Sequence, residues 1–376
     1  MTNVVLYRKY RPQVFSDVVG QEHVVQTLTN AVANNMISHA YLFAGPRGSG
    51  KTTLARLFAK AVNCENLKGF EPCNKCNSCV EINHGNAMDL LEIDAASNRG
   101  IDEMRELREG IRFVPTKLNY KVFIIDESHQ LTKEAANALL KTLEEPPEHA
   151  IFILATTEIH KMIPTIISRC QRFDFRKLTL LEIIGQLGKI AKEEKVKISK
   201  EALDLIALNS QGAMRDAIGM LDQAITFCTS EEDREITVEE IKNLLGLVEM
   251  NVIGKFVEFL KNKNSSEAIK YLNEIFEKGL DMEVFARALI NYLRQILILK
   301  ISLTDANQPI SNPVLTVLTK DELKMIQNQA TGFSEEDIQK TIKLFLEAVN
   351  KMKYSPIPQL QIELATIESV GFGETK

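Results

Sequence analysis

The chain has 376 residues, 45% of them apolar and 25% charged, with a formal net charge of −5. That length suggests two or three domains at roughly 100–200 residues each. The mild acidity excludes a uniformly basic nucleic-acid binder, so any DNA contact has to use a local patch or a field supplied by partner subunits.

No window reaches the ~18 uncharged apolar residues of a membrane span. The opening Met1-Thr2-Asn3-Val4-Val5 lacks the basic-then-apolar order of a signal peptide. A cytoplasmic location without membrane association is therefore expected. Disulfides are rare there, and clustered cysteines more often hold metal.

In chain order, residues 1–177 alternate strand and helix signals. A short apolar run at 41–44 predicts a strand. It leads into Gly45-Pro46-Arg47-Gly48-Ser49-Gly50-Lys51-Thr52, a full GxxxxGK[ST] match. Gly45, Gly48, Ser49 and Gly50 would turn backbone N–H groups toward phosphate oxygens. Lys51 would neutralise the β- and γ-phosphates, and Thr52, followed by Thr53, would ligate Mg²⁺. A helix is predicted over 52–63, with Leu54, Leu57, Phe58 and Ala61 on one face.

That helix runs into Cys64, Cys73, Cys76 and Cys79, spaced C-x8-C-x2-C-x2-C. Four thiolates with no histidine suit a closed structural zinc site over about 64–79. An iron–sulfur cluster is the competing metal, disfavoured because the ferredoxin spacing is absent. Cys170 and Cys228 stand alone and are expected to be ordinary buried cysteines.

Further strands are predicted at 90–93, 122–125, 151–155 and 172–175. The run at 172–175 alternates polar and aromatic residues; the others are short apolar runs, which fit a parallel sheet buried on both faces. The run at 122–125 ends in Asp126 and Glu127, which suit a magnesium ligand and a base that orients the attacking water. Thr156 and Thr157 follow the next strand. Arg169 in Ser168-Arg169-Cys170 reads, from spacing alone, as a surface arginine sooner than as a finger for a neighbouring subunit's phosphate. Arg215, in the first turn of a predicted helix, could serve a phosphate or pair with Asp216.

From residue 179 the strand signals stop. Helices are predicted at 179–195, 200–210 and 213–227, then a charged linker at 231–235. After Gly246 helices are predicted at 252–260, 266–276, 282–301, 320–329, 335–352 and 358–368, with a loop at Pro309 and Pro313.

These elements in this order resemble the clamp-loader branch of the AAA+ ATPases, over essentially the whole chain. The most specific segments are Tyr7-Arg8-Lys9-Tyr10-Arg11-Pro12, Val18-Val19-Gly20-Gln21-Glu22-His23, His39-Ala40-Tyr41-Leu42-Phe43, Glu92-Ile93-Asp94-Ala95-Ala96-Ser97 and Asn137-Ala138-Leu139-Leu140-Lys141-Thr142-Leu143-Glu144-Glu145-Pro146-Pro147. The Ser168-Arg169-Cys170 tripeptide and the four-cysteine insert add to them.

The resemblance implies a P-loop AAA+ α/β domain at 1–177 with sheet order 5-1-4-3-2, a helical lid at 178–243 and an all-α collar at 244–376. It implies that Tyr7, Arg11, Pro12 and Val19 line the adenine pocket. Thr157 becomes sensor 1 with Thr156 as the fallback, Arg169 a finger acting in trans, and Arg215 sensor 2. ATP, Mg²⁺ and Zn²⁺ are the implied cofactors. The implied partners are further copies of the chain, δ- and δ′-type subunits, a ring-shaped sliding clamp and primer–template DNA. Arg99 and Arg105 are candidate DNA contacts, weighed against a solvated helix face. Ser128 departs from the small apolar residue usual there, at a position that is no nucleotide ligand.

Two other functions compete: a Holliday-junction-type motor, disfavoured by the cysteine insert, and a non-catalytic scaffold, disfavoured by the intact Lys51, Asp126 and Glu127. Polymerase chemistry is not expected, since no cluster of metal-binding carboxylates suits nucleotidyl transfer, although a holoenzyme's enzyme name can extend to such a subunit.

Overall fold

Helices α1 (Leu6–Lys9) and α2 (Glu22–Ala33) precede the first strand, β1 (Ala40–Ala44), in a computed structural model that describes residues 4–97, 110–111, 113–228, 235–246, 248–304 and 320–371. Then follow α3 (Lys51–Val62), α4 (Asn77–His84), β2 (Leu90–Asp94), β3 (Lys121–Asp126), α5 (Lys133–Glu144), β4 (Ala150–Thr156), α6 (Pro164–Ile167) and β5 (Gln171–Asp174). The chain divides into two compact units, Met1–Val238 and Glu239–Lys376. Arg99, Arg105, Pro309 and Pro313 lie outside the described residues.

The five strands form one parallel sheet in the order β2-β3-β4-β1-β5, which is 5-1-4-3-2 counted from the other edge. Every residue of β1 and β4 is buried, which explains why their sequences are unbroken apolar runs. The edge strands β2 and β5 keep exposed positions, so β5 alternates. Tyr41, Phe43, Leu54, Phe58 and Ile153 fill one face of the sheet, and Leu42, Phe123, Ile125, Leu139 and Phe152 the other. The register pairs Ala44 with Thr156 and Asp94 with Asp126. The carboxyl ends of the strands therefore finish at one level, where open α/β sheets place their ligands.

Three longer helices follow in the same unit: α7 (Leu180–Glu193), α8 (Lys200–Asn209) and α9 (Met214–Cys228). Thr179 and Glu182 close a reciprocal capping box at the start of α7. Strands do not stop at residue 179 as the sequence predicts. Lys197–Ile198 (β6) pairs in parallel with Glu235–Ile236 (β7), part of which falls in the predicted linker. Two-residue strands are too short to carry a period, so no pattern announces them. Cys170 packs against the sheet core, and burial pushes its thiol up to about 12. The side chain of Cys228 lies outside the described residues.

The second unit is helical among its described residues: α10 (Val238–Leu244), α11 (Met250–Lys261), α12 (Ser265–Glu277), α13 (Met282–Thr304), α14 (Lys320–Ala330), α15 (Glu335–Met352) and α16 (Pro358–Gly371). Phe256 meets Phe285 edge-on at 5.2 Å in its core. The buried Tyr292 hydroxyl donates to Gln329 Oε1 at 2.7 Å, and Gln329 Nε2 donates to the Gly254 carbonyl at 2.8 Å. These two bonds pair the buried Tyr292 and Gln329 where their helices cross, while Gln295 Oε1 on α13 is buried without a hydrogen-bond partner among the described residues.

Candidate functional site

The loop between β1 and α3 turns back on itself at the carboxyl end of the sheet. Gly48 has φ +73°, and a Cβ there would lie 2.8 Å from Ala213 Cβ; a Cβ on Gly45 would lie 2.4 Å from the Phe175 carbonyl oxygen. Glycine is needed at both places because other chain segments press against the loop. The Met214 N–H donates to the Gly48 carbonyl at 3.2 Å, so the start of α9 is joined to the loop through backbone.

Lys51 is 5% exposed, and its ammonium donates to the carbonyls of Gly45 and Pro46, both at 2.8 Å. Burial lowers its pKa. Thr52 donates its hydroxyl to Asp126 Oδ2 at 2.7 Å, which brings together a hydroxyl and a carboxylate, hard oxygen donors of the kind magnesium takes.

Glu127 sits in the left-handed region at φ +47°, which is unusual for a residue with a side chain. The turn aims its carboxylate back along the sheet, where Oε2 accepts the Thr157 hydroxyl at 2.8 Å. The neighbouring Thr156 is fully buried, and its hydroxyl meets His129 Nδ1 at 3.0 Å. His129 Nδ1 also lies 3.4 Å from Glu127 Oε2. Ser128 is buried and donates to the Ala155 carbonyl at 3.0 Å, which accounts for its hydroxyl without any ligand.

A cleft opens beside the loop. The structure brings Tyr7, Arg11, Pro12 and Val19 to its wall, with Gly48, Ser49, Gly50, Lys51, Thr52, Thr53, Asp126, Glu127 and Arg215. Gly45, Thr157 and Arg169 do not line it. The cations Arg11, Arg47, Lys51 and Arg215 line it together with the carboxylates Asp17, Asp126 and Glu127. Burial, with Arg56 nearby, lowers the pKa of Arg11. The Arg215 guanidinium lies 4.8 Å from the centre of the Tyr7 ring. Arg215, with Arg8 adding to it, holds the Tyr7 phenol below its ordinary value.

Sequence reasoning missed Tyr10, Arg47, Gln186 and Ile218, which also line the cleft. Tyr10 and Arg47 stand inside motifs already singled out; Gln186 and Ile218 come from α7 and α9 and carry no local signal. It also missed Gln21, which is fully buried. Gln21 Nε2 donates to the Arg176 carbonyl at 2.7 Å and to the Ser49 carbonyl at 3.4 Å, while Oε1 accepts the Arg176 N–H at 3.0 Å. It ties the phosphate loop to the segment leading into α7.

Arg169 points elsewhere. Nη2 pairs with Glu144 Oε1 at 2.6 Å and Nη1 donates to the Thr165 carbonyl at 2.8 Å. Its side chain keeps 33% exposure, away from its own cleft.

The four cysteines converge beyond the far end of α3, with their sulfurs all within 4.8 Å of one another. Zn–S bonds of ~2.3 Å in a tetrahedron put sulfurs about 3.8 Å apart, close to the 3.9 Å between Cys73 and Cys79. That separation is far beyond a disulfide bond. The N–H groups of Lys75 and Cys76 donate to Cys73 Sγ, and that of Cys79 to Cys76 Sγ. The bonds from Lys75 and Cys76 pull the Cys73 thiol down to about 6, whereas burial raises those of Cys64 and Cys79. Cys76 also caps α4. The donor set and its spacing fit a structural zinc ion.

Three family models match: "DNA polymerase III, delta subunit" over residues 20–179, "DNA polymerase III clamp loader subunit, ATPase lid domain" over 182–230, and "DNA polymerase III subunits gamma and tau domain III" over 236–371. The chain is 44% identical over 368 residues to the DNA polymerase III subunit tau of Bacillus subtilis, covering 98% of this chain and 63% of that one. It is 36% identical over 372 residues to subunit tau of Escherichia coli K12, covering 99% and 56%. The subunit gamma of Buchnera aphidicola subsp. Schizaphis graminum is 35% identical over 370 residues, covering 98% and 99%. The chain thus spans less than two thirds of the tau relatives and nearly all of that gamma relative. Nucleotide loop, sheet order, helical segments and these matches agree: the chain belongs to the gamma/tau family of DNA polymerase III clamp-loader subunits.

Proposed function

We propose that this chain is an ATP-hydrolysing subunit of a clamp loader, which places a ring-shaped β-type sliding clamp on primed DNA during replication. The supporting observation is the paired arrangement at the mouth of the cleft. Thr52 is bonded to Asp126 and Thr157 to Glu127, beside a buried Lys51.

In this reading ATP enters with its purine among Tyr7, Arg11, Pro12 and Val19. Its phosphates take the Lys51 ammonium from the Gly45 and Pro46 carbonyls. Thr52 and Asp126 would hold magnesium, which supplies charge neutralisation at the phosphate oxygens when bound. Glu127 orients the attacking water and accepts its proton, and Thr157 fixes the carboxylate that does so. Arg215 contacts the phosphates from α9 in cis. Arg169, turned away from its own cleft, reaches the nucleotide of a neighbouring subunit. Cys64, Cys73, Cys76 and Cys79 would hold zinc, whose part is structural.

We take 1–177 as the nucleotide domain, 178–243 as the lid and 244–376 as the oligomerisation collar. The partners would be further copies of the chain, δ- and δ′-type subunits, the clamp and primer–template DNA, in the cytoplasm. No described helix is long and apolar enough to cross a membrane. The test is ATP turnover and clamp loading by the complex reconstituted with those subunits. Turnover stimulated by clamp and primed DNA is expected. Stimulation by four-way junctions instead would favour a branch-migration motor, and no turnover in any mixture would favour a scaffold.

A further inference from the structure

The wall of the cleft at its purine end comes from two runs, 10–12 and 17–19, and the residues between them are held by the cysteine insert. Glu71 Oε2 accepts the Phe15 N–H at 2.7 Å and Oε1 accepts the Ser16 N–H at 2.8 Å. Asn74 Nδ2 donates to the Gln13 carbonyl at 3.1 Å. Asn74 lies between two of the cysteines, and Glu71 two residues before Cys73. Glu71 is aimed by a small antiparallel bridge in which Lys68 and Glu71 exchange both backbone hydrogen bonds at 3.0 Å.

The third hold comes from the helix that carries the phosphate-binding lysine. Lys60, on α3, is 2% exposed. Its ammonium donates to Asn74 Oδ1 at 2.6 Å, Asn83 Oδ1 at 2.8 Å and Gln13 Oε1 at 3.1 Å. A buried ammonium with three neutral acceptors fixes all three chain segments, because moving any one leaves a charge poorly satisfied. The cysteine insert, the phosphate helix and the purine-end segment therefore meet at one cation.

We propose that the four-cysteine insert is a positioning element for the purine end of the nucleotide cleft, acting through Glu71, Asn74 and Lys60 on residues 13–16. This rests on the nucleotide and zinc readings above. The insert fixes the backbone that carries Arg11, Pro12, Val18 and Val19, so it governs how tightly the base and ribose are held. It leaves the triphosphate end, built from the loop itself, unchanged. Glu71 and Asn74 touch no substrate atom and are positioning residues.

The experiment measures binding of ATP and of inorganic tripolyphosphate to the full chain by calorimetry, with zinc counted by elemental analysis. Glu71→Ala should weaken ATP about five- to tenfold, as loss of two charge-assisted hydrogen bonds predicts, while tripolyphosphate affinity and zinc content stay as they were. Glu71→Gln keeps one acceptor oxygen and should fall between. Asn74→Gly, which preserves the left-handed backbone at that residue (φ +56°), should reproduce the ATP defect, and chelation of the zinc should do so as well. Unchanged ATP affinity in Glu71→Ala and Asn74→Gly would overturn the proposal, as would equal weakening of both ligands. Zinc-free protein that binds ATP normally would overturn it too. An unaltered chain that binds no ATP would instead sink the nucleotide reading beneath it.

Discussion

The Thr157 hydroxyl donates to Glu127 Oε2 at 2.8 Å, joining the tip of one central strand to the turn that follows its neighbour. One threonine thereby holds the carboxylate proposed to order the attacking water. Glu127→Gln should bind ATP with near-normal affinity, because Asp126 and Thr52 remain. It should hydrolyse ATP ~10²–10⁴ times more slowly, the usual contribution of a positioned base. Single-turnover kinetics beside equilibrium binding separate the two, and equal losses in both would refute the division of labour.

Lys51→Ala should abolish ATP binding while the chain stays folded. The substitution leaves the Gly45 and Pro46 carbonyls without their ammonium, at a cost of about 1–3 kcal/mol at most. Thermal melting and calorimetric titration decide it; normal nucleotide affinity would end the assignment of the loop.

Arg169→Ala should spare ATP binding by the isolated chain. Its guanidinium is engaged by Glu144 and Thr165, not by its own cleft. In the assembled complex turnover should fall ~10³–10⁵-fold, the range of fingers supplied in trans. Mixing Arg169→Ala with Lys51→Ala subunits should restore part of the activity, and no recovery at any ratio would show that the arginine acts in cis.

Elemental analysis of the purified chain should find about one zinc per molecule, and Cys76→Ser should lose it. Iron in its place would overturn the metal assignment.

Acid should loosen the entry to α7. Arg176 grips both carboxylate oxygens of Glu182, at 2.6 and 2.9 Å, and holds that carboxyl down at about 2 from an ordinary 4.5. A depressed folded-state value stabilises above the unfolded value and is lost as pH falls, here between 4.5 and 2. Arg176 is 40% exposed, so salt should shrink the effect. Amide protection factors in 176–193, which are referred to the intrinsic exchange rate at each pH, should fall across that window. Glu182→Gln should show the low protection on both sides of it, and a persistent pH step in that variant would assign the effect to another group.

The parts of this fold legible in the sequence are those whose physics is local. The strand 41–44, the glycines after it and the acids at 126 and 127 each sit in an unbroken run. Four cysteines within sixteen positions announce a metal without help from the rest of the chain. The sheet order came from resemblance, since strand spacing does not say which strand lies beside which. Strands β6 and β7 were invisible because two residues have no period. Gln186 and Ile218 reach the cleft only through packing of the helices that carry them. Gln21, Glu71 and Lys60 look like ordinary polar residues until the chain is folded, because each bonds to backbone or side chains well separated in sequence.

The meeting of Gly48 with Ala213 has a mechanical consequence. At that contact a bare Cα meets a methyl group, and one backbone hydrogen bond runs alongside it. Further along the same helix Ala217, Leu221 and Ala224 are buried, and Asp222 Oδ2 accepts the Leu6 N–H at 3.1 Å. A push delivered by the loop at this contact therefore has no slack to disappear into and is handed on to the helices packed around α9.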